Sequence, residues 1–223
     1  MDSTRRRRYP GENDKEASMP EPLAIDVVSD VVCPWCYLGK RRLDAAIAQA
    51  GGAQVRWRPY QLDPTIPPGG LDRKAYMSAK FRDEARLAEV HARLTTLGEE
   101  AGIAFDFEAI GRAPNTLDAH RLIRFASEAG KADEVVERLF CAYFERGQDI
   151  GDRAVLAEIG AGLDDIEARL ASEEGVAEVQ AEIAFAQRGG VEGVPFFIFA
   201  QKYAVSGAQS AEVLAQAISE ARA

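Results

Sequence analysis

Cys33-Pro34-Trp35-Cys36 stands at the joint between an apolar run, Leu23 to Val32, and a helical pattern, Lys40 to Gln49. No other feature limits the possible folds so strongly. Two cysteines three apart at a helix start share one face of its first turn. Their sulfurs can close a disulfide without moving the backbone. The first backbone N–H groups of a helix are unpaired and its dipole is positive there, so a Cys33 thiolate is favoured. Pro34 suits the first helical position, which needs no N–H. The spacing points to dithiol–disulfide exchange. A structural zinc site would need two further ligands at short spacing. Cys141, His91 and His120 are not paired in that way, so no metal site is expected. A purely structural bridge over so short a loop would remove little chain entropy.

At 223 residues the chain can be one domain with an insertion or two small ones. Its net charge of −9 argues against nucleic acid or an anionic membrane surface as partner. No apolar stretch is long enough to span a bilayer. Three cysteines in a chain of this length are not a secreted disulfide framework. Ser3-Thr4 followed by Arg5 to Arg8 superficially suggests an export signal, but the next residues, Tyr9 to Glu16, are polar and no h-region follows. The expected location is therefore cytoplasmic. Residues 1–20 have the composition of a disordered tail, and Met19 is a candidate start.

Leu23 to Val28 reads as a buried strand, with Ser29 and Asp30 as loop or capping residues. Leu43, Ala46, Ile47 and Ala50 give the first helix an apolar face that Gly51-Gly52 ends. Val55 to Leu62 alternates as a second strand. Asp63 to Gly70 is a breaker segment. Helical periodicity then runs to about Arg188, with stripes such as Leu87-Val90-Leu94-Leu97 and Val135-Val136-Leu139-Phe140. Val194 to Phe199 and Lys202 to Ser206 form a hairpin about Ala200-Gln201, and an amphipathic helix closes the chain. The expected architecture is α/β: a thioredoxin fold, with a mixed sheet flanked by helices, split by an inserted all-helical domain. Its parts are 21–62 and 187–223 for the thioredoxin-like domain and 63–186 for the insertion, with a helix over 174–188 bridging back.

The segment Ser29 to Gly39, with Pro114-Asn115-Thr116, Ala119-His120-Arg121, Gly193 to Phe197 and Val205 to Gln209, resembles the DsbA-like branch of the thioredoxin superfamily. Within it, the resemblance is to the subgroup of FrnE-type oxidoreductases and 2-hydroxychromene-2-carboxylate isomerases. It extends from about Leu23 to the end. It implies that Cys33 attacks, that Cys36 resolves, and that Pro195 is a cis-proline facing the pair, presenting the Val194 backbone to an extended substrate. Pro34, Trp35, Val194, Asn115, Thr116, His120 and Gln209 are the implied substrate-binding residues. The implied partners are proteins carrying disulfides or thiols. No cofactor is implied beyond the Cys33–Cys36 redox pair, with glutathione as a possible partner.

Family isomerases and related transferases carry serine in the attacking position and borrow the thiol of glutathione. Cys33 and Cys36 favour a disulfide oxidoreductase over a glutathione-dependent isomerase or transferase of an aromatic substrate. A redox-regulated binding module or holdase is the third alternative. Trp35 replaces the histidine that many periplasmic relatives carry between the cysteines, so the thiolate rests on the helix end with help from Lys40. His120 reads first as a partly buried hydrogen-bonding residue, and it is also the nearby candidate base. His91 reads as solvated, Cys141 as a small core residue, Asp26 as a solvated edge residue rather than a buried acid beneath the cysteine pair, and Arg41 and Arg42 as surface charges.

Overall fold

The computed structural model describes residues 22–223, and the tail expected over 1–20, with its arginines and Met19, lies outside the described residues. The β-branched run folds as strand β1 (Ala24–Ser29), buried along almost its whole length. Helix α1 (Pro34–Ala50) starts at the cysteine turn and ends on Gly51, whose φ of 80° is the left-handed conformation of a helix cap. Strand β2 (Gln54–Pro59) then returns parallel to β1, with Trp57 opposite Val27.

The chain next runs through a two-residue ladder of β3 (Leu71–Asp72) and β4 (Arg112–Ala113), antiparallel to each other. Between them lie α2 (Arg73–Lys80) and α3 (Glu84–Glu100), each capped by an aspartate, Asp72 or Asp83. After them come α4 (Leu117–Glu128), α5 (Ala132–Phe144), α6 (Arg153–Ile159), α7 (Ile166–Ala171) and α8 (Val176–Arg188). The insertion is thus helical but not wholly so. The backbone leaving the breaker segment pairs with the residues just before α4.

Strands β5 (Phe196–Phe199) and β6 (Tyr203–Ser206) form the expected hairpin, with Ala200 and Gln201 both at positive φ in its turn. Helix α9 (Ala211–Arg222) is capped by Ser210 and packs on α1. The sheet order is β2-β1-β5-β6, with β5 antiparallel to both neighbours. β1 is therefore an inner strand. This overturns the reading of Asp26 as a solvated edge residue: it is buried, and its carboxylate accepts from Arg58 Nε at 2.7 Å.

The core is continuous across the insertion. Tyr37 of α1 stacks on Phe140 of α5, with centroids 4.9 Å apart and planes 9° apart, and lies 6.2 Å from Phe144. The helical segment is thereby locked onto the helix that carries the cysteines. Stacked and edge-on aromatic pairs of this kind contribute about 0.5–1.5 kcal/mol beyond the area they bury.

Candidate active site

Cys33 is the N-cap residue of α1, in extended conformation, and Pro34 is the first helical residue. The turn before it is closed by the Cys33 N–H, which donates to the Asp30 carbonyl at 3.0 Å. Cys36 N–H donates to the Cys33 carbonyl at 2.9 Å, so the second cysteine lies one turn inside. Both are free thiols, Cys33 4% exposed and Cys36 1%. Burial pushes the Cys36 thiol well up from its ordinary range, and the adjoining Cys33 sulfur adds to that shift. The two sulfurs are thus inequivalent.

The Val194–Pro195 peptide bond is cis. The Cys33 thiol points at the Val194 carbonyl, with Sγ 3.6 Å from its oxygen. Gly39 permits this approach, because a Cβ there would meet Pro195 Cγ at 2.9 Å and Phe197 Cζ at 3.2 Å.

In front of the pair lies a cleft of about 740 Å³ between the cysteine turn, the Val194 segment and helices α2 and α3. Cys33 lines it and Cys36 does not. Its walls are largely apolar, with Leu87 and Val90 of the predicted stripe on one side and Trp35 at the cysteine end. The Arg93 guanidinium lies 5.9 Å from the Trp35 ring centroid, within cation–π range. A polar patch interrupts the walls. Arg73 donates to the Tyr143 hydroxyl at 3.0 Å, and burial pushes that hydroxyl up to about 12. His91 belongs here too, against the expectation that it is solvated. Its ring stacks on Phe107 with centroids 4.1 Å apart, and burial, then Arg73, lowers its pKa.

Of the implied site residues, Pro34, Trp35, Val194 and Thr116 line the cleft with Cys33. Pro195 sits behind Val194 against Gly39. Asn115 does not line the cleft. Its Oδ1 accepts from Leu117 N at 2.9 Å, while its Nδ2 donates to the Ile66 carbonyl at 2.6 Å. It closes the turn into α4 and ties down the breaker segment. Gln209 is exposed, and its amide donates to the Ser206 carbonyl at 2.9 Å. His120 does not line the cleft: it is buried, with Nε2 2.8 Å from the Tyr60 carbonyl oxygen and 3.4 Å from Asp30 Oδ1. Lys40 gives the thiolate no direct support, because its ammonium is buried against Asp44 (2.8 Å), Glu137 (3.1 Å) and Asp133 (3.3 Å).

Three bystanders also differ from expectation. Cys141 is partly exposed rather than core, since its side of α5 faces Glu145, whose Oε2 accepts from the thiol at 3.3 Å. Arg41 is partly buried and pairs with Glu137 at 2.6 Å. Arg42 donates to the Ala208 carbonyl at 2.7 Å and anchors the turn into α9. Asp30, read only as a loop or capping residue, is 1% exposed and lines the cleft. Its Oδ2 accepts from Leu62 N at 2.8 Å, which holds the strand β2 exit beside the cysteine turn. The sequence offered one signal for it, the Ser29-Asp30 doublet directly before the cysteine segment.

A model of the DSBA-like thioredoxin domain matches residues 24–219. The uncharacterized protein YwbO of Bacillus subtilis (strain 168) is 29% identical over 202 residues, 88% of this chain and 96% of its own. A solved structure of a probable DsbA oxidoreductase from Streptomyces coelicolor superposes with a TM-score of 0.82 at 29% identity, over 90% of each chain. The cytosolic disulfide reductase DsbM from Pseudomonas aeruginosa, solved with GSH, shares the fold at 21% identity and a TM-score of 0.66, over 90% of this chain and all of that one (100%). Among the described residues no helix is long and apolar enough to cross a membrane.

Proposed function

The chain belongs to the DSBA-like thioredoxin family, and from that premise we propose that it is a thiol–disulfide oxidoreductase working through Cys33 and Cys36. One observation carries the reading: Cys33 opens on the cleft beside the Val194 backbone, while Cys36 is buried one helical turn behind it.

In the reductive direction the Cys33 thiolate attacks a client disulfide. A bond forms between Cys33 Sγ and one client sulfur, the client S–S bond breaks, and the other client sulfur leaves as thiolate. Cys36 then attacks Cys33 Sγ, closing the protein disulfide and releasing the second client thiol. Two electrons pass to the client, and an external thiol restores the pair. The apolar cleft, with Trp35 at one end and the Val194 backbone beside the sulfur, suits an extended client segment or a small thiol. Glutathione as the restoring thiol, and action in the cytoplasm, are supported by the likeness to a cytosolic reductase solved with GSH. The presence of both thiols favours this chemistry over a glutathione-dependent isomerase, which needs none of its own.

Dithiothreitol-driven reduction of insulin tests the proposal. The protein should accelerate insulin precipitation, and Cys33→Ser should abolish the acceleration. No acceleration by the intact protein would overturn it in favour of a redox-regulated binding module.

A further inference from the structure

The chain carries a net charge of −9, yet the cleft in front of Cys33 does not share that sign. Arg73, Lys80, Arg82 and Arg86 line it, against three carboxylates, Asp30, Asp63 and Asp83. Each carboxylate already holds a donor. Asp30 accepts from Leu62 N at 2.8 Å, Asp63 from the Tyr76 hydroxyl at 3.0 Å, and Asp83 from Arg86 N at 2.9 Å. None of the four cations forms an ion pair among the described residues. Lys80, Arg82 and Arg86 are exposed, and water satisfies them. Arg73 alone is partly buried.

The fold holds Arg73 in place. It is the first residue of α2, and its backbone N–H donates to the Gly111 carbonyl at 3.1 Å. One guanidinium N–H donates to the Tyr143 hydroxyl, and that hydroxyl donates in turn to the Arg112 carbonyl at 3.2 Å. Tyr143 is buried, so it is a fixed post, and its ring centroid lies 5.9 Å from Arg73 Cζ. A guanidinium has five N–H donors in a planar fork that matches a carboxylate. Here one is used, and the rest meet no acceptor among the described residues. A cation held half out of water among largely apolar walls is poorly solvated until an anion reaches it.

We propose that Arg73 is a specificity residue, which holds the carboxylate of a low-molecular-weight disulfide whose apolar body fills the cleft. The proposal rests on the reading that Cys33 attacks disulfides. A cleft of about 740 Å³ falls among small-molecule sites, which run from about 300 to 1,000 Å³. Its apolar walls favour an aryl or branched aliphatic body over a polar thiol such as glutathione, whose peptide groups would lose hydrogen bonds to water there. In the exchange a bond forms between Cys33 Sγ and one substrate sulfur, the substrate S–S bond breaks, and the other sulfur leaves as thiolate. The carboxylate on Arg73 takes no part in these bond changes. It orients the disulfide toward the sulfur.

A matched pair of aryl disulfides separates charge from shape: one carries a carboxylate on each ring, the other a carboxamide in its place. Attack on each is followed in the Cys141→Ala protein, with every rate divided by that of a small free thiol so that intrinsic reactivity cancels. The acid should be favoured over the amide roughly tenfold, the scale of a charge-assisted bidentate pair. Arg73→Gln should lose the preference through weaker binding of the acid, seen as saturation at higher concentration, and leave the amide unchanged. Arg73→Lys, which keeps the charge, should retain part of it. Equal rates for acid and amide before Arg73 is changed, or an equal fall for both in Arg73→Gln, would overturn the site. If Arg73→Gln does not fold, the first comparison decides alone. Glutathione disulfide should react more slowly than the aryl acid on the same scale, and a faster reaction would overturn the apolar body. Each of these failures leaves Cys33 as the attacking thiol. If Cys33→Ser consumed the disulfides as fast as its parent, that underlying reading would fall instead.

Discussion

Gly39 and Pro195 are 156 positions apart in sequence and touch in space, so closely that a methyl group on residue 39 would lie 2.9 Å from Pro195 Cγ. Helix α1 therefore carries the cysteines to the Val194 segment only because residue 39 has no side chain. Gly39→Ala should cost about 1–3 kcal/mol, as overpacking does. It should also slow the reaction of Cys33 with a small disulfide, because the Val194 carbonyl must move away from the sulfur. Thermal melts and stopped-flow thiol kinetics on the same variant check both effects.

Cys36 should behave as an unreactive thiol. Burial is the largest cause of its raised pKa, and burial survives removal of its neighbour. In Cys33→Ser with Cys141→Ala, alkylation of Cys36 should stay slow at neutral pH and rise only at pH values above those at which an ordinary thiol ionises, about 8.5. Rapid neutral alkylation would show that Cys36 is not the protected partner.

Lys40→Met should lower stability by about 1–3 kcal/mol and leave the rate of Cys33 with a small disulfide unchanged. Burial alone would lower the Lys40 pKa, but Asp133, Asp44 and Glu137 outweigh it and raise it. The folded state holds this proton more tightly than the unfolded chain. The stabilisation is therefore full below the ordinary lysine range and fades only as pH climbs through the raised value. Denaturant midpoints of the variant and the wild type should accordingly converge only in strong alkali.

Arg121, fully buried, should be among the least replaceable residues of the insertion. Its guanidinium donates to the carbonyls of Glu174 (2.7 Å), Ser172 (2.7 Å) and Arg169 (2.8 Å) and to Asp118 Oδ1 (2.6 Å). It closes the exposed end of α7 from inside. Arg121→Met should cost about 1–3 kcal/mol by taking the shared donor from those partly buried acceptors, and urea unfolding measures it. Arg121→Lys should recover little, since an ammonium cannot span the fork.

The parts of this molecule legible in its sequence are those fixed by short-range physics. The β-branched run before Cys33, Pro34 at the first helical position, the Gly51 cap and the Ala200-Gln201 turn each state their structure within a few residues. The misread residues are those whose surroundings come from far along the chain. Lys40 reads as support for the Cys33 thiolate until Asp133 and Glu137 arrive from α5. His91 looks solvated until Phe107 covers its ring. Asp26 looks like an edge residue until β5 joins β1 from the other end of the chain. Asn115, His120 and Gln209 were implied as substrate contacts by resemblance, and local sequence could not show that their polar groups are engaged by Leu117, Tyr60 and Ser206. Ser29 and Asp30 carry no hydrophobic period, so only the packed structure shows that Asp30 lines the cleft and Ser29 does not.

The roles assigned to the two thiols are tested most directly by trapping. Cys36→Ala and Cys33→Ala, each in the Cys141→Ala background, are exposed to a disulfide-bearing client and analysed by non-reducing mass spectrometry. Cys36→Ala should accumulate one covalent client adduct per chain, attached at Cys33, because the resolving thiol is missing. Cys33→Ala should accumulate none. Equal trapping by both variants, or an adduct carried by Cys36 alone, would contradict the assignment of Cys33 as the thiol that meets the substrate.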